Sequence, residues 1–126
     1  MERPRRGQRI TRPHCGYPSS PFFIIGSSRS GTTLLRLILC GHSRLYIPPE
    51  TWFIADLVAR FPLDAVLSPA QVCAAVDIMV GHYRWPDQEI PAEDFRAQAL
   101  ALLAPSLVDL IDLPYREHLR RAGKPR

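Results

Sequence analysis

Two glycines five residues apart, Gly26 and Gly31, separate an apolar run from a leucine-rich one in PFFIIGSSRSGTTLLRLILCG, residues 21–41. No other stretch restricts the fold as much. The run before Gly26 is short, β-branched and aromatic, and it starts after Pro21, so it reads as a buried strand over 22–26 of a parallel sheet. SSRS is loop. The run after Gly31 has helical spacing, with Leu34, Leu35, Ile38 and Leu39 on its apolar face and Gly41 as a stop. Strand, glycine loop and helix in that order are the setting of a phosphate-binding loop.

The loop's chemistry favours an anion. Its backbone N–H groups and the positive end of the following helix make a phosphate site. Ser28, Ser30, Thr32 and Thr33 add hydroxyls, and Arg29 offers a planar fork to anionic oxygens. The plain alternative is a tight strand-to-helix turn with polar caps. The G-x-x-x-x-G spacing is that of a nucleoside triphosphatase loop, but that motif continues with Lys and then Ser or Thr. Here Thr32 holds the Lys position, and Lys124 is the only lysine in the chain. Without a lysine to share β/γ-phosphate charge with Mg²⁺, and without a clear acidic Walker B strand, triphosphate hydrolysis is disfavoured. A sulfuryl donor asks for less: a cradle for one 5′-phosphate, a cation facing the charge that develops as the donor breaks, and a base for the acceptor's proton. Arg29 supplies the cation, a carboxylate can be the base, and no metal is required. A kinase-like phosphotransferase and a non-catalytic nucleotide-binding remnant are the alternative readings.

FFIIGSSRSGTTLLRLIL resembles the 5′-phosphosulfate-binding motif of sulfotransferases that use 3′-phosphoadenosine 5′-phosphosulfate (PAPS). It is most similar to the tyrosylprotein-sulfotransferase-like and related bacterial members, whose R-S-G-T-T-L-hydrophobic-R core is matched by Arg29 to Arg36. The resemblance implies that Ser30, Gly31, Thr32 and Thr33 bind the donor's 5′-phosphate and that Arg29 contacts the phosphosulfate. In IPPETWFI, Glu50 falls where such proteins place a glutamate before a threonine, which implies that Glu50 is the catalytic base. The implied acceptor is a hydroxyl on a peptide tyrosine, a sugar or a small molecule. The later family segments, a W-G-x-K-T-P-like stretch and the Arg and Ser that hold the 3′-phosphate, have no counterpart in these 126 residues. Weak donor binding and little turnover are therefore expected of this chain alone.

The expected fold class is α/β of the P-loop type, with an incomplete parallel sheet and a largely helical remainder. The sheet would need more strands than are visible, and the chain stops where another is due, so the expectation is the N-terminal part of a larger domain over 21–126, behind an irregular basic arm at 1–20; the alternative is a small, mostly helical domain with a stub of sheet. The strand-loop-helix unit spans 22–41 and a helical region 51–122. Leu45 to Ile47 reads as a short extended piece. Thr51 is expected to cap a helix through WFIADLVARF; Ser68 and Pro69 open another with Val72, Val76 and Val80 inward; 84–95 is loop; helices follow at about 92–103 and 105–121, the last ended or kinked by Pro114.

Much of the net charge of +4 lies at the two ends, so it says little about the middle; no nucleic-acid partner is expected. No apolar stretch approaches the roughly 20 residues of a membrane span, and no apolar region follows the basic start, so the expected location is cytoplasmic. Cys15, Cys40 and Cys73 are odd in number and widely spaced, fitting a reducing compartment with neither disulfide framework nor zinc site. Arg36 is expected at the surface or in an ion pair. Trp52 and Phe53 are expected in the core, although both could face an acceptor cleft. His42 and His82 are expected to be ordinary histidines.

Overall fold

A computed structural model describes residues 22–125; the basic arm lies outside them, as do His14 and Cys15. Within that range the chain forms five α-helices: α1 (Thr32–Cys40), α2 (Phe53–Val58), α3 (Pro69–Gly81), α4 (Ala92–Leu100) and α5 (Leu107–Ala122), with a 3₁₀ turn at Trp85–Gln88.

The helix boundaries follow local chemistry. Ser68 and Gln71 form a reciprocal capping box at the start of α3, with Pro69 in its first turn. Ser106 and Asp109 do the same for α5. At the far end of α5, Gly123 takes the left-handed conformation at φ 62, and the amides of Gly123 and Lys124 close on the carbonyls of Arg120 and Leu119. Pro114 does not end this helix. It removes one backbone donor, but its ring is fully buried, and packing on both sides carries the helix through. Thr51 does not cap α2 with its side chain; Trp52 occupies the cap position with no side-chain hydrogen bond.

The core belongs to α2–α5 and the 3₁₀ turn. Phe53, Leu57, Val72, Val76, Met79, Trp85, Phe95, Leu107 and Leu110 form one buried cluster. Trp85 stands at its centre, 4.7 Å from the Phe95 ring and 5.9 Å from Phe53, with its indole N–H donated to the Ile90 carbonyl.

The expected buried strand at 22–26 departs from the sequence reading. Among the described residues there is no strand, and the one β-pairing is an isolated antiparallel bridge between Val66 and Ser106. Residues 22–27 have no regular structure. Their apolar side chains face water, Ile25 at 92% exposed and Phe23 at 71%. The physical reason is pairing: a strand is completed by a neighbour's backbone, and residues 22–125 supply none here. The same holds for α1. Its expected apolar face is exposed at Leu34, Leu35 and Ile38, and none of its residues is buried.

Candidate functional site

Between Gly26 and α1 the chain makes a tight turn. Ser30 closes it, its amide and its hydroxyl both donating to the Ser27 carbonyl, the hydroxyl at 2.6 Å. Arg29 and Gly31 both have left-handed backbone, at φ 59 and φ 84. For Gly31 that costs nothing; for Arg29 it costs on the order of 1 kcal/mol, because a Cβ crowds the following carbonyl. Gly26 is required for a different reason. A Cβ there would lie 2.6 Å from Thr32 Cγ2 and 2.7 Å from Ser30 Oγ, so the bare backbone leaves open the space in which the loop's hydroxyl side chains gather.

Gly31 caps α1 without a side-chain hydrogen bond, and the first turn of α1 holds no acidic residue. The first amides of a helix have no acceptor inside it. The N–H groups of Thr32 and Thr33 and the positive end of the helix axis are thus left for an external anion. Ser28, Arg29, Ser30, Gly31 and Thr33 are exposed and Thr32 is half-buried. These groups fit a phosphate. One detail departs from the simple donor picture: the Ser30 proton is committed to Ser27, so this hydroxyl reaches a ligand only by rotating.

Polar contacts join α1 to the rest of the molecule. Arg36 Nη1 donates to the Ile47 carbonyl at 3.2 Å, so Arg36 braces the loop's helix instead of lying free at the surface. Cys40 Sγ accepts from the Ile47 amide. Lys124, at the end of α5, donates to the carbonyls of Cys40 and Leu45, placing the chain's one lysine at the negative end of α1. The 45–47 segment thereby connects α1 to Glu50.

Glu50 is exposed and borders a shallow, open surface recess with Thr51, Trp52 and Ala55. Its backbone is fixed from below. The fully buried Gln88 donates from Nε2 to the Glu50 carbonyl at 3.3 Å and faces His118 Nε2 through its Oε1 at 3.1 Å. Because Gln88 Nε2 is the donor to Glu50, Oε1 is the acceptor for His118, whose Nε2 then carries the proton. Burial, with Arg121 nearby, holds the His118 imidazole below its ordinary pKa. Tyr46 stacks on the His118 ring at 5.4 Å. Beside Glu50, the Thr51 hydroxyl pairs with Tyr115 at 2.9 Å, and burial pushes the Tyr115 phenol upward in pKa.

Sequence reading did not single out Gln88, Tyr115 or His118. Tyr115 and His118 are three apart on one helix, a spacing that puts them on one face, but nothing marks Gln88 within RWPDQEIP as buried. His42 and His82 are turn caps, each accepting an amide two residues on through Nδ1. Phe53 is core at 1% exposed, whereas Trp52 stands out at 54%. Among the described residues no group of three or more His, Cys, Asp or Glu could hold a metal, and no helix is long and apolar enough to cross a membrane.

No curated protein and no solved structure matches the chain. A profile of the sulfotransferase family does, over residues 21–117, which include the loop, α1, Glu50 and the helical core. A match over most of its length means that the chain belongs to the sulfotransferase family, whose chemistry is sulfuryl transfer to a hydroxyl-bearing acceptor and whose usual donor is PAPS.

Proposed function

We propose that this chain carries the 5′-phosphosulfate half of a PAPS site, together with the base that activates the acceptor. The observation that carries the reading is the open start of α1. A left-handed glycine, no capping side chain and no acidic first turn leave its amides to an anion, with Arg29 in the turn just before. When bound, the donor supplies the sulfuryl group that passes to the acceptor oxygen and leaves as 3′-phosphoadenosine 5′-phosphate. The amides of Gly31, Thr32 and Thr33 hold the 5′-phosphate, with the hydroxyls of Ser28, Ser30, Thr32 and Thr33 around it. Arg29 holds positive charge where negative charge grows, a task that needs no metal ion. Glu50 takes the proton of the acceptor hydroxyl onto its carboxylate.

Calorimetry tests the donor assignment. The 126-residue chain is titrated with 3′-phosphoadenosine 5′-phosphate and, separately, with ATP and Mg²⁺. The expected result is binding of the first in preference to the second, weakened about tenfold or more by Arg29→Ala. Preference for ATP with Mg²⁺ overturns the reading and favours a phosphotransferase. Glu50→Gln is expected to spare nucleotide binding and, in any form of the protein that turns over labelled PAPS, to abolish most transfer; full activity of that variant refutes the base assignment.

A further inference from the structure

The proposed base stands where nothing holds its side chain. The recess beside Glu50 is shallow and open, and the carboxylate makes no hydrogen bond or ion pair among the described residues. Its position is therefore only as good as its main chain, and that main chain is held from two sides. Upstream, Ile47 is tied to α1: its carbonyl accepts from Arg36 and its amide donates to Cys40 Sγ. Pro48 and Pro49 follow, each with φ locked by its ring, so the step from Ile47 to Glu50 is a stiff spacer. Downstream, two residues in a row are held. The Glu50 carbonyl accepts from Gln88 Nε2 at 3.3 Å, and the Thr51 hydroxyl pairs with Tyr115 at 2.9 Å.

We propose that Gln88 and Tyr115 are positioning residues for Glu50, with α5 as the element that sets where the carboxylate stands relative to the loop at the start of α1. This rests on Glu50 being the base. Gln88 suits the task because its amide is locked. It is fully buried, with one end of the amide taken by the Glu50 carbonyl and the other by His118 Nε2 at 3.1 Å. His118 is seated in turn, 5% exposed, with the Tyr46 ring stacked on it. The next residue is anchored as well. Arg121 donates to the Glu89 carbonyl, and its Nε is held by the buried Glu117 carboxylate at 2.6 Å. The end of the 3₁₀ turn is thus fastened to α5 at Gln88 and Glu89 in succession. Tyr115 and His118 lie three apart on α5, on one face, so a single helix face reaches Thr51 directly and Glu50 through one amide. A base must come within about 2.6–3.2 Å of the proton it takes. A 1 Å misplacement costs about a hundredfold in rate, so losing one of these contacts without losing the fold is expected to slow transfer about tenfold or more.

The test uses the isotope-labelled 126-residue chain and two variants that each change a single group. Gln88→Glu keeps the shape and an oxygen for His118 but replaces the amide donor to Glu50 by an acceptor. Tyr115→Phe removes only the hydroxyl that meets Thr51 and reads the other contact independently. The readouts are the mobility of the Glu50 and Thr51 amides by NMR relaxation, the Trp85 indole N–H as a reporter of the core, and calorimetric affinity for 3′-phosphoadenosine 5′-phosphate. Each variant is expected to loosen the amides at 50 and 51 while the Trp85 signal stays in place. Nucleotide affinity is expected to stay within about twofold, because the loop's helix is tied down separately by Arg36 and Lys124. In any form of the protein that turns over labelled PAPS, kcat then falls about tenfold or more with KM for PAPS unchanged. Amides at 50 and 51 as rigid as the parent's in both variants overturn the proposal. Loss of the Trp85 signal along with them in both variants also overturns it, because the two residues then serve the fold alone. An undiminished kcat with loosened amides, in a protein that Glu50→Gln inactivates, does the same. The base reading fails separately: if Glu50→Gln leaves transfer intact while both variants loosen 50 and 51, the main-chain contacts stand and the assignment of Glu50 as base falls.

Discussion

Replacing Gln88 by leucine removes the amide that joins the Glu50 segment to α5. Leucine has similar bulk, so little cavity is created in this fully buried position. Two partners lose their bond. The His118 N–H is inside, in a residue 5% exposed, and leaving it unpaired costs about 1–3 kcal/mol. The Glu50 carbonyl belongs to an exposed residue, regains water in part and adds less than about 1 kcal/mol. Ceasing to bury the amide offsets some of this. The net loss is about 2 kcal/mol, or about 10 °C in Tm for a domain of this size. Thermal unfolding at pH 7.5 reads it directly. The cycle with His118→Leu is expected to show a coupling of about 1 kcal/mol, because each substitution removes the other's partner. A Gln88→Leu variant within about 0.5 kcal/mol of the parent, or an additive cycle, refutes the claim that this pair holds the segment. The pH dependence has a definite sign. Burial, then Arg121, depresses the folded pKa of His118, while Glu117 and Glu89 oppose the shift. The unfolded chain therefore binds the proton more readily. The contribution of neutral His118 is complete above its ordinary pKa of about 6.5 and declines as pH falls below it. Between pH 7.5 and 5.5 the parent is expected to lose more Tm than His118→Leu does.

Three further substitutions probe other parts of the structure. Hydrogen bonds from Arg120, and then from Arg121, hold Glu117 at a pKa of about 2 against an ordinary 4.5; its contribution is full above 4.5 and is lost as pH falls through 2, so Glu117→Gln should lower Tm by a few degrees at pH 7 and by clearly less near pH 2.5, as thermal melts at the two pH values will register. Lys124→Met keeps the apolar stem but removes the donors to Cys40 and Leu45; amide exchange in α1 should quicken about tenfold while α3 is unchanged, and uniform quickening would show that Lys124 supports the whole fold instead. Gly26→Ala drives a Cβ into Thr32 and Ser30; because the loop is exposed, Tm should hardly move while nucleotide affinity falls about tenfold, a split that calorimetry and melting curves detect together.

What could be read in advance was local. The Ser68–Pro69 start and the Gly123 end follow from the backbone needs of single residues, while Gly41 ends α1 in ordinary right-handed backbone that any residue could adopt; a phosphate loop is written in glycine spacing and hydroxyls. What could not be read depended on partners distant in sequence. The run PFFIIG has strand composition, but a strand is a relation between segments, and no described segment lies beside it. Pro114 has a cost that sequence reveals and a buried seat that sequence hides. Thr51 looked like a helix cap because caps are local; its hydroxyl instead answers Tyr115, 64 positions on. Gln88, in a polar loop by composition, is among the most buried side chains. Trp52 and Phe53 are equally apolar by type, and only the direction of α2 separates them.

The apolar side chains that flank the loop also bear on behaviour in solution. Phe23, Ile25, Leu34 and Ile38 leave one end of the molecule adhesive, and the backbone over 22–27 carries no ladder that would shield it. Surfaces of this kind draw copies of a chain together as concentration rises. The phosphate loop lies within that end, so self-association and nucleotide access compete for the same ground. Apparent nucleotide affinity should therefore weaken as protein concentration increases, and sedimentation should show lighter species when nucleotide is present.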